Sequence, residues 1–127
     1  MNRSRTLVFG DVHGAARALD QVLELAAYDP AADRLVSVGD LCDGWPEVDR
    51  CLDRLRGEPL DLVAGNHDEW ALSWMRSGEA PPGWLVQGGR GTVASYARRA
   101  GLEPPGSAQE IAAVAATVPP EHRELLE

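Results

Sequence analysis

Three short segments built on one plan constrain this sequence more than any other feature: GDVHG at 10–14, GDLCDG at 39–44 and GNHDEW at 65–70. Each opens on glycine with a polar residue directly behind it. Each also follows an apolar, β-favouring run: RTLVF (5–9), DRLVSV (33–38) and LDLVA (60–64). Helical patterns come next. Over about 14–27, Leu19, Val22, Leu23 and Ala26 share one face at helical spacing. A second helix starts with Pro46 in its first turn and carries Val48, Cys51, Leu52 and Leu55 on one stripe. HDEWALSWMR (67–76) reads as the third. Strand, helix, strand, helix, strand, helix is the order of βαβ units, so an α/β fold with a largely parallel sheet and right-handed crossovers is predicted.

Beyond residue 77 the character changes. SGEAPPGWLVQGGRG is loop-rich, and helical patterns follow at about 92–100 and 107–118, the second opened by the capping pair Ser107 and Glu110. PPEHRELLE begins a last helix at a proline pair and stops without a C-cap, so the chain is expected to continue beyond it. One domain, 1–127, is expected, with a βαβαβα half over 1–76 and loop plus helices over 77–127.

Composition narrows the partners. The formal net charge is −8, the wrong sign for neutralising nucleic-acid phosphates or binding an acidic membrane surface. No apolar run approaches the roughly 20 residues of a membrane span, and the N-terminal apolar stretch is too short for a signal-peptide core. A cytoplasmic protein is expected, without nucleic-acid or membrane partners. Of two cysteines, Cys51 falls on a buried stripe and Cys42 reads as a small apolar spacer between two aspartates.

In a parallel sheet the three glycine-led segments lie at the carboxyl ends of the strands, where α/β proteins place their ligand sites. Asp11 and His13 are two apart, so in extended backbone both side chains point to one side and can chelate one cation. Asp40 arrives from the neighbouring strand with two oxygens, enough to bridge two cations, and Asn66 offers a neutral oxygen from the third. Each segment alone has a plainer reading: GDLCDG as a turn, GNHD as a helix start with Asn66 as N-cap. Together they describe a metal site. Mixed nitrogen and oxygen donors suit Mn, Fe, Zn or Co better than Ca.

Asp11-x-His13, Gly39-Asp40-x-x-Asp43 and Gly65-Asn66-His67-Asp68 resemble the first three motifs of calcineurin-like metallophosphoesterases. The likeness is greatest to the bacterial and phage branch of PPP-type serine/threonine protein phosphatases, and covers the N-terminal half of that fold, an α/β sandwich. LVSVGDLCDGWPEVDRCLDRL and WLVQGG read like that branch. The resemblance implies two divalent ions, Mn²⁺ foremost and Fe, Zn, Co or Mg as alternatives. Asp11, His13 and Asp40 would hold one ion, and Asp40 with Asn66 the other. His67 would be the general acid, Asp43 would orient and charge it, and a metal-bound hydroxide would attack phosphorus in line. The implied activity is hydrolysis of phosphomonoesters on a protein or small molecule. Alternatives are hydrolysis of dinucleoside polyphosphates and a non-catalytic, truncated metal-binding or interaction module.

Two departures accompany the likeness. The family continues Asp-Arg-Gly where this chain has Asp43-Gly44-Trp45, so its phosphate-gripping arginine is missing, and neither Arg76 nor Arg90 is marked as a replacement. The family also draws further histidine ligands from its C-terminal half, whereas this chain has only His13, His67 and His122. His122 is expected to be exposed on the last helix. Trp70 and Trp74 are expected in the core, Trp45 and Trp84 in loops covering the site, and Arg98 and Arg99 on a solvated face.

Overall fold

The computed structural model describes residues 4–127. Three parallel strands, β1 (Arg5–Phe9), β2 (Asp33–Ser37) and β3 (Leu60–Leu62), lie side by side in chain order, with Phe9 opposite Ser37 and Ser37 opposite Leu62. That register brings all three carboxyl ends to one edge. Helices α1 (Ala16–Leu25) and α2 (Val48–Leu55) connect them, and α3 (Asn66–Ser77) leaves β3. A single 3₁₀ turn, Leu85–Gln87, precedes α4 (Gly89–Arg99), α5 (Ala108–Ala115) and α6 (Pro120–Leu126).

The predicted stripe of α2 holds: Val48, Cys51, Leu52 and Leu55 are all fully buried. On α1, Ala16, Leu19 and Leu23 are buried, but Val22 is half exposed because it faces a cleft along β1 with Phe9, Val12 and Leu19. Alternation along the strands sends Leu35 and Ser37 inward, while Val8, Val38 and Val63 on the other face are exposed. The helices therefore cover one side of the sheet.

The second half of the chain is packed into the first. α4 runs against α2, and α3 meets α4, α5 and α6. Trp74, Trp84 and Tyr96 are buried at this junction, with ring centroids 5.5 Å apart for the Trp74–Trp84 pair. Losing one such aromatic from a core costs about 3–5 kcal/mol, so the packing of α4 is a substantial part of the fold. Arg98 and Arg99 are exposed as expected, yet both are tethered, Arg98 to Asp49 at 2.9 Å and Arg99 to Asp53 at 2.6 Å.

Two expectations fail here. His122 is fully buried: its Nδ1 meets the Tyr96 hydroxyl at 2.7 Å and its Nε2 meets Asp53 Oδ1 at 2.7 Å. The terminal helix turns this histidine inward because partners on α4 and α2 satisfy both ring nitrogens. Trp84 lies in a turn as expected, but it is buried beneath the site rather than open over it, with its indole N–H spent on Asp43. No helix among the described residues is long and apolar enough to cross a membrane.

Candidate metal centre

The β1–α1 and β2–α2 loops are stitched together by backbone. Val12 and His13 N–H groups both donate to the Asp40 carbonyl, at 3.0 and 2.9 Å, Gly14 N–H donates to Leu41, and Trp45 N–H to His13. The loops hold an unusual conformation: His13, Asp40 and Asp43 have φ of 46°, 58° and 71°. Left-handed backbone at a non-glycine residue costs roughly 1–2 kcal/mol. It persists where surrounding bonds over-determine it, characteristically at functional sites.

Asp68 supplies much of that determination. Its buried carboxylate accepts four backbone N–H bonds, from Asp40 (2.7 Å), Leu41 (2.9 Å), Cys42 (3.0 Å) and Gly65 (3.0 Å). It thereby welds the second motif to the third. Sequence reading gave Asp68 no role, although an acid at the third position of a helix is a capping-box signal. Glycine at 65 is required by space, since a Cβ there would strike the Asp40 carboxylate.

On this frame Asp11, His13 and Asp40 converge, each offering a donor atom with all three within 4.8 Å of one another. The donor set fits a divalent cation. His13 Nδ1 lies 2.9 Å from the Cys42 carbonyl, which can only accept, so Nδ1 carries the proton and the Nε2 lone pair is left for a metal. Fixing a ligating imidazole through its other nitrogen is the usual support for a metal site. Nε2 is 3.5 Å from Asp11 Oδ2. Asn66 stands exposed at the first position of α3, with Gly65 rather than Asn66 as the N-cap.

His67 faces the same centre, its ring 4.9 Å from that of His13 and edge-on to it. Its Nδ1 is 2.8 Å from Asp43 Oδ2, and Nε2 has no hydrogen-bond partner among the described residues. Asp43 is buried and further held by Trp84 Nε1 at 2.7 Å and Thr92 Oγ1 at 2.6 Å. Burial pushes its pKa up; the bonds from Thr92, His67 and Trp84 pull the other way without cancelling that rise. Thr92 Oγ1 also accepts the Asp43 N–H at 2.9 Å. Sequence reading missed Thr92, which has no local signature.

The remaining tryptophans and arginines divide clearly. Trp74 is in the core, Trp70 is half-buried with its ring 5.0 Å from His67, and Trp45 is exposed beside His13. Arg76 pairs with Glu127 at 3.0 Å, and Arg90 lines a cleft with Pro104, Pro105 and Ile111, away from the metal-site residues. Cys42 and Cys51 are buried free thiols, both pushed up by desolvation and inert in that state.

Parallel strands ending in carboxylate and imidazole donors, with a carboxylate-held histidine alongside, form a candidate divalent-metal centre. Residues 4–107 match the family model of the calcineurin-like phosphoesterases, and the chain belongs to that family. It is 42% identical over 82 residues to serine/threonine-protein phosphatase 1 of Salmonella typhimurium, covering 65% of this chain and 38% of that protein. It is 46% identical over 70 residues to a symmetrical bis(5′-nucleosyl)-tetraphosphatase of Coxiella burnetii, covering 53% of this chain and 23% of the other. A crystal structure described as a candidate diadenosine tetraphosphatase superposes on 91% of this chain and 46% of its own, with a TM-score of 0.53 and 23% identity, and shares the fold. The chain thus spans less than half the length of each of these proteins.

Proposed function

We propose that this chain is a metal-dependent phosphoesterase acting on phosphomonoesters of a protein or small molecule in the cytoplasm. The observation that carries the reading is the convergence of Asp11, His13 and Asp40 within 4.8 Å, with His67 edge-on beside them. Asp11, His13 and Asp40 would hold one divalent ion. Asp40 and Asn66 would hold a second, with Mn²⁺ the favoured metal. When bound, such ions supply Lewis acidity and a nucleophilic water at neutral pH.

The chain's own residues do the rest. The locked Nδ1–H of His13 keeps its Nε2 aimed at the centre. Asp43 holds His67 by Nδ1, so Nε2 presents a proton to the leaving oxygen. As the water oxygen bonds to phosphorus and the old P–O bond breaks, that proton passes to the departing group. The water's own proton restores the imidazole. Proton delivery of this kind contributes about 10²–10⁴-fold.

A second reading, hydrolysis of dinucleoside polyphosphates, is supported by one feature, the exposed indole of Trp45 beside His13. Hydrolysis of an aryl phosphate with Mn²⁺, run beside Asp40→Asn and His67→Asn, tests the phosphoesterase reading. Wild type should exceed both variants by at least about a hundredfold; equal rates in all three would instead favour a non-catalytic module.

A further inference from the structure

Asp43 anchors the proposed proton donor, and its two carboxylate oxygens have separate partners. Oδ2 meets His67 Nδ1 at 2.8 Å and accepts the Trp84 indole N–H at 2.7 Å. Oδ1 accepts the Thr92 hydroxyl at 2.6 Å, and the same hydroxyl oxygen accepts the backbone N–H of Asp43 at 2.9 Å. One Thr92 oxygen thus ties the main chain of Asp43 to its side chain. The carboxylate cannot turn away from His67 without breaking the Thr92 bond as well. Asp43 needs such a fixture because its backbone is left-handed, with φ of 71°, a conformation that persists at a non-glycine residue where surrounding bonds over-determine it.

The docking of α4 sets Thr92 in turn. Gly44 N–H donates to the Gly88 carbonyl at 2.9 Å. Gly91 lies so close to the same loop that a Cβ there would strike the Gly44 carbonyl oxygen, and a Cβ on Gly88 would press on Asp43 Cβ at 3.1 Å. Farther along the helix, Ser95 Oγ accepts the Val48 N–H at 3.0 Å, and Arg98 Nη1 donates to the Pro46 carbonyl at 2.6 Å. Thr92, Ser95 and Arg98 recur at three-residue spacing, so they follow one another along one side of α4. That side holds the segment 43–48 from end to end.

We infer that Thr92 is a positioning residue for phosphoester hydrolysis: its hydroxyl orients Asp43, and Asp43 in turn aims the His67 Nε2 proton at the leaving oxygen. The inference rests on the phosphoesterase reading and extends that site to α4, 49 residues along the chain from Asp43. Thr92 is fully buried behind Asp43, so it acts through the carboxylate and not on the substrate. A threonine that only filled the core would change stability without changing which leaving groups can be expelled.

Leaving groups of different basicity test this. Phenolate needs a proton donor to depart, whereas the weakly basic 4-nitrophenolate departs with little help. Thr92→Val removes the hydroxyl and keeps the volume. With Mn²⁺ it should lose about tenfold in kcat on phenyl phosphate, a part of what loss of the donor itself would cost, and stay within about twofold of wild type on 4-nitrophenyl phosphate. Thr92→Ser, which retains the hydroxyl, should keep wild-type rates on both. Equal losses of Thr92→Val on the two substrates, or no loss on either, overturn the inference. A second readout does not depend on turnover: the ¹⁵N shifts of the neutral His67 ring, read through its C–H protons and assigned with His67→Asn. They should place the proton on Nδ1 in wild type and Thr92→Ser, and divide it between Nδ1 and Nε2 in Thr92→Val. Identical His67 shifts in Thr92→Val and wild type overturn the positioning. The phosphoesterase reading fails separately, if wild type hydrolyses 4-nitrophenyl phosphate no faster than Asp40→Asn.

Discussion

Two aspartate–histidine pairs of nearly equal length sit in different parts of this molecule, and they are built for different tasks. At the strand ends His67 meets Asp43 at 2.8 Å; under the last helix His122 meets Asp53 at 2.7 Å. The distances do not separate them. What does is the second nitrogen. His67 keeps Nε2 free beside His13, on a residue partly open to solvent, whereas His122 spends Nδ1 on Tyr96 and is fully buried. The carboxylates differ in the opposite sense. Asp43 is the buried one and its pKa is raised by desolvation. For Asp53, desolvation also acts upward, but the bonds from Arg99 and His122 outweigh it and the pKa is lowered. One pair holds a half-open imidazole, the proposed proton donor, on an anchor sealed inside; the other is a clamp tying α6 to α4 and α2.

The comparison breaks first at His67. His67→Asn should cut aryl phosphate hydrolysis by about 10²–10⁴-fold while the thermal midpoint stays close to wild type. A variant that unfolds instead would make His67 a structural residue like His122. Next in size, His122→Ala should lower the unfolding free energy by about 3 kcal/mol in urea titration. It opens a cavity and strands the buried Tyr96 hydroxyl; Mn²⁺ affinity should not change. An unaltered unfolding midpoint would remove the clamp.

Asp68→Asn sharpens the strand-end side. It replaces one acceptor oxygen of a carboxylate serving four N–H groups with a donor. The Asp40 loop should loosen, and Mn²⁺ affinity should fall about 10–100-fold, the usual effect of losing a group that orients a ligand. Calorimetry reads this directly, and unchanged affinity would mean the loop holds its shape without Asp68.

The smallest effect concerns pH. Asp53 has a lowered folded pKa, so its contribution is present above its unfolded value and is lost as pH falls through the lowered one. The stability gap between wild type and Asp53→Asn should therefore shrink as pH falls through and below the ordinary carboxylate range near about pH 4, and stay under about 1 kcal/mol because the pair is partly exposed. Asp43 has the opposite sign. Its raised pKa contributes stability below the unfolded value that is lost as pH rises through the folded one. A gap at Asp53 that widened in acid would contradict the clamp.

The strand-end half was readable because its signals are local. Alternation and helical spacing marked β1 to β3 and the stripe of α2, and glycine before a polar residue marked each loop. Asp68 was visible in the quoted motif but not in its role, because its bonds to residues 40–42 cross from one loop to another. Trp84 and Thr92 reach Asp43 from 41 and 49 residues away, and nothing in their own surroundings announces it. His122 failed for the same reason on a larger scale, its partners lying 26 and 69 residues off. A short terminal helix with alternating charges looks solvated until the residues it turns toward are known.

The central claim is that the loops after β1 and β2 form a divalent-metal centre of which His122 is no part. Calorimetric titration of Mn²⁺ into wild type, Asp40→Asn and His122→Ala tests it most directly. The account predicts saturable binding in wild type, at least about tenfold weaker binding in Asp40→Asn, and wild-type affinity in His122→Ala. Equal affinity in Asp40→Asn and wild type would contradict it.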